Sequence, residues 1–111
     1  MEISATLASL TSSAIVAIER PARYGKQLAG HLGHRVQVDE LSNGWALHIG
    51  EGMGFVLPHD GGADPALELR AEADSPEMLE RIKDVLARHL LQFTTKLPSV
   101  TIDWVDSSVA S

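Results

Sequence analysis

Two histidines lie three residues apart in the segment GKQLAGHLGHRVQV, residues 25–38, where a predicted helix ends. Imidazole is a common ligand for zinc, iron and haem, and two imidazoles from one short segment lower the entropic cost of assembling a site. His31 and His34 are therefore candidate metal or haem ligands. Two protein ligands do not complete a closed metal site, so a third has to come from elsewhere, and His89 on the second predicted helix is the best candidate.

All three histidines also have a structural interpretation, which is the more frequent one for such spacing. A histidine in the last turn of a helix interacts favourably with the helix dipole, and the ring of His31 can also hydrogen-bond the free carbonyls there. His34 is then a polar residue at the start of the next strand, and His89 packs against the sheet with one satisfied nitrogen. The sequence leaves both interpretations open.

The chain's only local excess of positive charge surrounds the first two histidines. Arg20, Arg23, Lys26 and Arg35 follow one another without an intervening acid. Arg23 and Lys26 are three residues apart and share one face of the first helix, and the guanidinium fork of arginine suits planar oxyanions. We therefore expect these side chains to line a ligand-binding pocket that orients a carboxylate, a phosphate or a haem propionate. The alternative is a solvated face that pairs with acids elsewhere in the chain.

None of the remaining patterns in the sequence indicates catalysis. The segment GEGMG, residues 50–54, lacks the spacing of a phosphate-binding loop and does not lead into a helix, so it predicts a bend or bulge between strands. The segment HDGG, residues 59–62, contains a histidine–aspartate pair, but its two glycines predict a turn. Glu68, Arg70 and Glu72 alternate on the outer face of a strand, where they can serve as acid or base only if that face is covered. No serine lies in a nucleophile elbow, and we expect a protein that is not an enzyme.

The composition is that of an ordinary globular protein, and we expect one domain over residues 1–111, with tails at residues 1–10 and 106–111. A formal net charge of −6 argues against general binding to nucleic acid or to anionic lipid. The absence of cysteine excludes disulfides, thiolate metal sites and thiol catalysis. No apolar run approaches the roughly 18 residues of a membrane span, and the first residues lack the pattern of a secretory signal. We therefore predict a cytoplasmic protein with neither membrane nor nucleic-acid partners.

Apolar periodicity predicts two amphipathic helices. In the first, Pro21 suits the first turn, and Gly33 is expected to end the helix in the left-handed conformation. The second helix is the clearest element, because Ser75 can cap it, Pro76 suits its first position, and apolar residues recur at three- and four-residue steps. These residues are Leu79, Ile82, Leu86, Leu90 and Phe93.

Six predicted strands combine with these helices in the order β-α-β-β-β-β-α-β. Short turns separate the middle four strands, among them SNG, residues 42–44, which predicts a hairpin with a primed turn and antiparallel pairing. The last predicted strand, residues 99–105, has Val100, Ile102 and Trp104 on one face. Because each strand has one apolar face and each helix one apolar stripe, we predict an α+β fold. In this two-layer sandwich, both helices cover one face of a mostly antiparallel sheet.

Several segments resemble a family of small bacterial proteins known as domain of unknown function 2218 (DUF2218). The resemblance covers residues 12–105 and is most specific in RYGKQLAGHLGHR, residues 23–35, and RHLLQF, residues 88–93. The family usually has leucine or another large residue at the position of Gly25, which implies a looser first helix here. The family has no established activity, but its members occur beside or fused to siderophore-interacting, flavin-dependent iron-handling proteins. The resemblance therefore implies an accessory role in iron, siderophore or haem handling, with haem or iron as ligand and a siderophore-interacting flavoprotein as partner.

Two functional hypotheses follow. The first is a non-enzymatic accessory or binding domain whose pocket lies near the C-terminal end of the first helix and contains the histidines and cations named above. The alternative is a homodimeric protein-interaction module without a small-molecule ligand. It is favoured because one sheet face stays free and the segment AIVAI, residues 14–18, is apolar on both of its faces.

Overall fold

Six strands and two helices follow one another in the predicted order. The computed structural model describes residues 10–60, 64–97 and 100–108. The elements are β1 (Leu10–Ala17), α1 (Pro21–Leu32), β2 (Gln37–Leu41), β3 (Gly44–Ile49), β4 (Gly52–His59), β5 (Ala66–Ala73), α2 (Pro76–Phe93) and β6 (Val105–Ser108). The predicted α+β fold is confirmed.

The strands form one antiparallel sheet in the order β2-β3-β4-β5-β1-β6. Strands β2 to β5 form a meander, as the short turns between them require. Strand β1 pairs with β5 along its whole length, from Leu10 opposite Ala73 to Ala17 opposite Ala66. Both helices contact β4, β5 and each other, so they lie side by side on one face of the sheet, which we call the covered face. The other face is called the open face.

The core lies between the helices and the covered face. Side chains alternate along each strand, so Val16 is fully buried beneath the helices while its neighbour Ile15 is 63% exposed on the open face. The largest fully buried apolar side chains come from both helices and from four strands. They are Val16, Leu28, Leu47, Val56, Leu67, Leu69, Ile82, Leu86 and Leu90.

The start of α2 is as predicted. The Ser75 hydroxyl accepts a hydrogen bond from the backbone N–H of Met78 at 3.2 Å, and Pro76 is the first helical residue. The apolar stripe of α2 faces the sheet, and only Phe93 at its end is half-buried rather than buried. No helix in residues 10–60, 64–97 and 100–108 has the length and apolar content of a membrane-spanning segment.

The end of α1 differs from the prediction. Gly33 has φ −62° and ψ −14°, which is right-handed, so the expected left-handed cap is wrong. The chain instead continues in a tight turn, in which the N–H groups of His34 and Arg35 donate to the carbonyls of His31 and Leu32. His34 therefore lies in this turn, and strand β2 begins three residues later than expected, at Gln37.

Gly25 allows α1 to approach the sheet closely. It is buried, and a Cβ atom at this position would lie 3.0 Å from the Trp45 ring and 3.2 Å from side-chain atoms of Val56 and Leu67. The neighbouring side chains therefore already occupy the space that a larger residue would need. The expectation of a looser helix is wrong, because the missing side chain is replaced by contacts from the sheet.

The hairpin predicted at residues 42–44 forms, but Gly44 belongs to the strand that follows the turn rather than to the turn itself. Gly44 pairs with Leu41 and is the first residue of β3, so the two-residue loop consists of Ser42 and Asn43. Gly44 has φ +153°, and a Cβ there would lie 2.1 Å from the Val56 carbonyl oxygen. Close approach to β4, rather than a primed turn, is what requires glycine here.

The last strand is displaced toward the C-terminus. Residues 100–104 are outside the ladder, although Val100, Ile102 and Trp104 do pack against the core as predicted. Strand β6 uses Val105–Ser108 and pairs with β1, so residues 106–108, expected to be a tail, are part of the sheet. Leu10 is likewise the first residue of β1, while residues 1–9 and 109–111 of the predicted tails lie outside the described residues.

Candidate functional site

The two helices bring His31 and His89 together. Their ring centroids are 5.3 Å apart, with the ring planes inclined by 43°. The ring of Phe93, one turn beyond His89 on α2, meets His31 edge-to-face at 5.4 Å. We call His31 and His89 the histidine pair. Phe93 is the aromatic neighbour of this pair.

The backbone of α2 orients the ring of His89. Its Nδ1 lies 2.7 Å from the carbonyl oxygen of Val85, one turn earlier in the helix, and His89 is half-buried. Because a carbonyl only accepts, Nδ1 carries the proton and donates it. This is the orientation found in metal-binding histidines, in which one ring nitrogen donates to a carbonyl or carboxylate and the other is the ligand.

The ring of His31 is positioned less tightly. His31 lies in the last turn of α1 and is exposed, and its ring is held by contacts with His89 and Phe93. Two imidazoles bound to neighbouring positions of one ion, with metal–nitrogen distances of about 2.0–2.1 Å, have centroids about 5 Å apart. The observed separation of the ring centroids, 5.3 Å, is close to the separation of two imidazoles on one ion.

His34 is exposed in the turn after α1 and is not in ring contact with the histidine pair. Within the part of the chain that the structure describes, no three His, Cys, Asp or Glu side chains form a group suited to a metal ion. In the described residues, the two imidazoles therefore lie together without a third side chain of these types beside them.

Two of the predicted cations, Arg23 and Lys26, do not lie on the helix face that carries His31. Arg23, Lys26 and Arg35 are exposed, and no ion pair or side-chain hydrogen bond links any of them to another residue of the described ranges. At 100° per residue, Lys26 is turned about 140° away from His31 around α1. Arg23 is turned by about 80° and lies two turns nearer the start of the helix. The sequence predicted a shared helix face for these two cations, but their nearness in sequence does not place them beside the imidazoles.

The open face contains two polar clusters that the sequence analysis did not predict. Nε2 of His48 lies 2.7 Å from the Asp39 carboxylate across the β2–β3 hairpin. The hydrogen bond with His48, followed by one from Gln37, holds the pKa of Asp39 below its ordinary value.

The second cluster lies across β4 and β5. The carboxylate of Glu68 is 2.9 Å from Nε2 of His59 and 3.0 Å from Nη2 of Arg70. In each cluster the histidine lies diagonally across from its carboxylate on a paired strand, so the strand register is the information that would have revealed these two contacts.

Comparison with known proteins identifies a family for this chain. The family model described as "Uncharacterized protein conserved in bacteria (DUF2218)" matches residues 13–105. The chain belongs to the DUF2218 family. The description of the family names no activity, ligand or partner. A search of curated proteins finds no match to this chain.

Two solved structures share the fold of this DUF2218 protein. The NMR structure of PA4090 from Pseudomonas aeruginosa has a TM-score of 0.65 at 20% identity, over 93% of this chain and 98% of that one. The de novo designed protein Foldit4 has a TM-score of 0.55 at 11% identity, over 90% of this chain and 97% of that one. Since one of these two proteins was designed, the arrangement of elements does not identify a function. Function has to be argued from the side chains.

Proposed function

We propose that this protein is a non-enzymatic binding domain that holds a transition-metal ion, free or within a chelate, through His31 and His89. The observation that carries the proposal is the pairing of the two rings at 5.3 Å, with Nδ1 of His89 bonded to the Val85 carbonyl. Imidazole suits zinc, copper, iron and nickel, and a site with two protein ligands leaves room for the donors of a chelating molecule.

The same geometry favours one ion with two neighbouring imidazoles over a haem held by both. The two axial ligands of a six-coordinate haem lie on opposite sides of the ring. Here the two imidazoles lie against each other at the surface of one helix pair. Within this proposal, the iron or siderophore link therefore takes the form of a metal ion or small iron chelate, and haem with a single histidine ligand is the less favoured form.

Two further parts of the proposal rest on the sequence alone. A siderophore-interacting flavoprotein partner is supported by the family resemblance, and a cytoplasmic location is supported by the ordinary globular composition. An accessory domain of this kind would pass an ion or chelate to its partner rather than transform it.

The proposal is tested by isothermal titration of the purified protein with ZnCl2, and with Fe2+ under anaerobic conditions. We expect saturable one-to-one binding that weakens at least about tenfold in His31→Ala and in His89→Ala, since each loses a direct ligand. His34→Ala is the matched control, because this exposed histidine lies three residues from His31 and should bind as the unmodified protein does. Absence of saturable binding, or an equal loss in His34→Ala, would contradict the proposal.

The alternative function is a homodimeric interaction module, and a specific observation favours it. Ile15 is 63% exposed on β1 and Val105 is 68% exposed on the adjacent edge strand β6. Exposed aliphatic side chains on neighbouring strands form an apolar patch, and such patches mark interaction surfaces. In a two-fold dimer the same patch of both subunits forms the interface. Light scattering over a range of concentrations would show dimeric mass if this function is correct, and Ile15→Lys would then return the protein to the monomeric mass.

A further inference from the structure

A cleft of about 590 Å3 lies at the opposite end of α1 from the histidine pair. Its apolar wall is formed by Ile18, Pro65, Leu97 and Val100. The volume is within the range of roughly 300–1,000 Å3 that small-molecule sites occupy. Tyr24, which also lines the cleft, precedes His31 by seven residues, so the two sites are about 10 Å apart along the helix axis. The cleft is therefore a second candidate site.

The residue at the mouth of this cleft has an unusual backbone. Arg20 has φ +57° and ψ +52°, and it is the only residue other than glycine with positive φ in residues 10–60, 64–97 and 100–108. This left-handed conformation is unfavourable for a residue with a side chain, and the following Pro21 further disfavours helical values. Non-glycine residues held in this way cluster at ligand-binding sites.

The backbone role of this position does not require arginine. The carbonyl of Arg20 accepts hydrogen bonds from the N–H groups of Arg23 at 3.0 Å and Tyr24 at 3.3 Å, and its side chain does not cap the helix. Glycine or asparagine would adopt the same conformation more easily. Arg20 is itself exposed and is one of the residues that line the cleft.

The charged groups around the cleft carry both signs. Arg20 offers a guanidinium for a carboxylate, while Glu19 and Asp64 offer carboxylates for an ammonium group. All three of these residues are exposed, whereas Tyr24, which also lines the cleft, is half-buried. Among the described residues that line the cleft, two acids accompany one cation, a balance that would repel a phosphate or a dicarboxylate.

We propose that this cleft binds a small zwitterion with an apolar body, such as an apolar amino acid. The carboxylate lies on Arg20, the ammonium group lies between Glu19 and Asp64, and the apolar body packs on Tyr24 and Leu97. This binding function is independent of metal binding by His31 and His89.

Three probes with the same phenyl body test the charge requirement by titration followed with amide NMR spectra. L-Phenylalanine carries both charges, 3-phenylpropionate carries only the carboxylate, and phenethylamine carries only the ammonium group. We expect L-phenylalanine to shift the amide signals of residues around Arg20 and Tyr24 saturably, and both other probes to bind at least tenfold more weakly. Equal binding of all three, or no saturable shift with L-phenylalanine, would overturn the proposal.

Variants separate the ligand contact from the backbone role of the same residue. Arg20→Gly removes the guanidinium but relieves the left-handed conformation, so its melting temperature should rise or stay unchanged while affinity for L-phenylalanine falls at least tenfold. Asp64→Asn should lower the affinity for L-phenylalanine but not for 3-phenylpropionate. Arg23→Ala, exposed one turn away on α1, is the matched control and should bind normally. An Arg20→Gly variant that is more stable and binds L-phenylalanine with unchanged affinity would show that the cleft does not use Arg20.

Discussion

The two faces of the sheet use the same strands for different purposes. On the covered face, alternate residues such as Val16 and Leu69 are fully buried beneath the helices. On the open face, Ile15 is exposed and the carboxylates of Asp39 and Glu68 pair with histidines. Since burial of apolar surface is the main favourable term in folding, the free energy of unfolding depends on the covered face. Exposed positions on the open face can change with little effect on the fold, and this contrast yields predictions of decreasing size.

The largest effect is expected from a leucine on the covered face. Leu69→Ala removes a fully buried side chain from the middle of β5 and should lower the free energy of unfolding by about 2–5 kcal/mol in a urea titration. Leu41→Ala makes the same chemical change at a position 37% exposed on β2, and the change there should stay within about 0.5 kcal/mol. Similar losses in the two variants would contradict the assignment of stability to one face.

A smaller loss in the free energy of unfolding is expected when the contacts of β6 with β1 and α2 are removed. The fully buried Ser12 donates to the carboxylate of Asp106 at 2.5 Å, and Nζ of Lys83 on α2 lies 3.2 Å from the same oxygen. Asp106→Ala leaves the Ser12 hydroxyl buried without this acceptor and should lower the free energy of unfolding by about 1–3 kcal/mol. Asp103→Ala is the control, because Asp103 is exposed and makes no hydrogen bond or ion pair with another residue in the described ranges.

The hydrogen bonds of Asp106 also make the free energy of unfolding depend on pH. The hydrogen bonds from Ser12 and then Lys83 hold the pKa of Asp106 below its ordinary value of 3.8. The carboxylate therefore contributes its stabilisation above pH 3.8, and this contribution is lost as the pH falls through the lower pKa of the folded state. Asp106→Asn should flatten the loss of stability in this range, and an unchanged pH profile would show that another carboxylate is responsible.

Much of this architecture is predictable because it follows from periodicity. The stripe from Leu79 to Leu90 defines α2, and the rule that both helices cover one face is enough to bring His31 close to His89. The features that could not be predicted are conformations that a residue type does not determine. Gly33 adopts a right-handed turn as readily as a left-handed cap, and nothing in an arginine before proline predicts the left-handed backbone of Arg20.

The sequence pattern predicts the last strand at the wrong residues for a related reason. The alternation of Val100, Ile102 and Trp104 reflects burial against the core, which a chain can achieve without hydrogen bonding to a neighbouring strand. The ladder forms instead at β6, where Asp106 meets Ser12 opposite it on β1. The cleft beside Arg20 was also absent from the predictions, because its walls come from four separate segments of the chain.

A still smaller effect is expected on the open face itself. Ile15→Thr keeps a β-branched side chain on β1 but removes apolar surface that is already exposed to water, so the free energy of unfolding of the monomer should change by less than about 0.5 kcal/mol. The measurement is a urea titration at a protein concentration where light scattering gives the monomeric mass. A loss above about 2 kcal/mol under these conditions would show that Ile15 is buried in solution.

The smallest effect concerns Asp39, which resembles Asp106 in its pKa but differs in its surroundings. Both carboxylates have a lowered pKa, but Asp39 is exposed, and its hydrogen bond with His48 leaves no buried group behind when it is broken. His48→Ala should therefore return the pKa of Asp39 toward 3.8, visible in an NMR titration of its carboxyl carbon, while the urea midpoint at pH 7 barely moves. Because the folded-state pKa is the lower one, the pair stabilises the protein above pH 3.8 and ceases to do so on acidification. A pKa that stays low in His48→Ala would assign the shift to Gln37 instead.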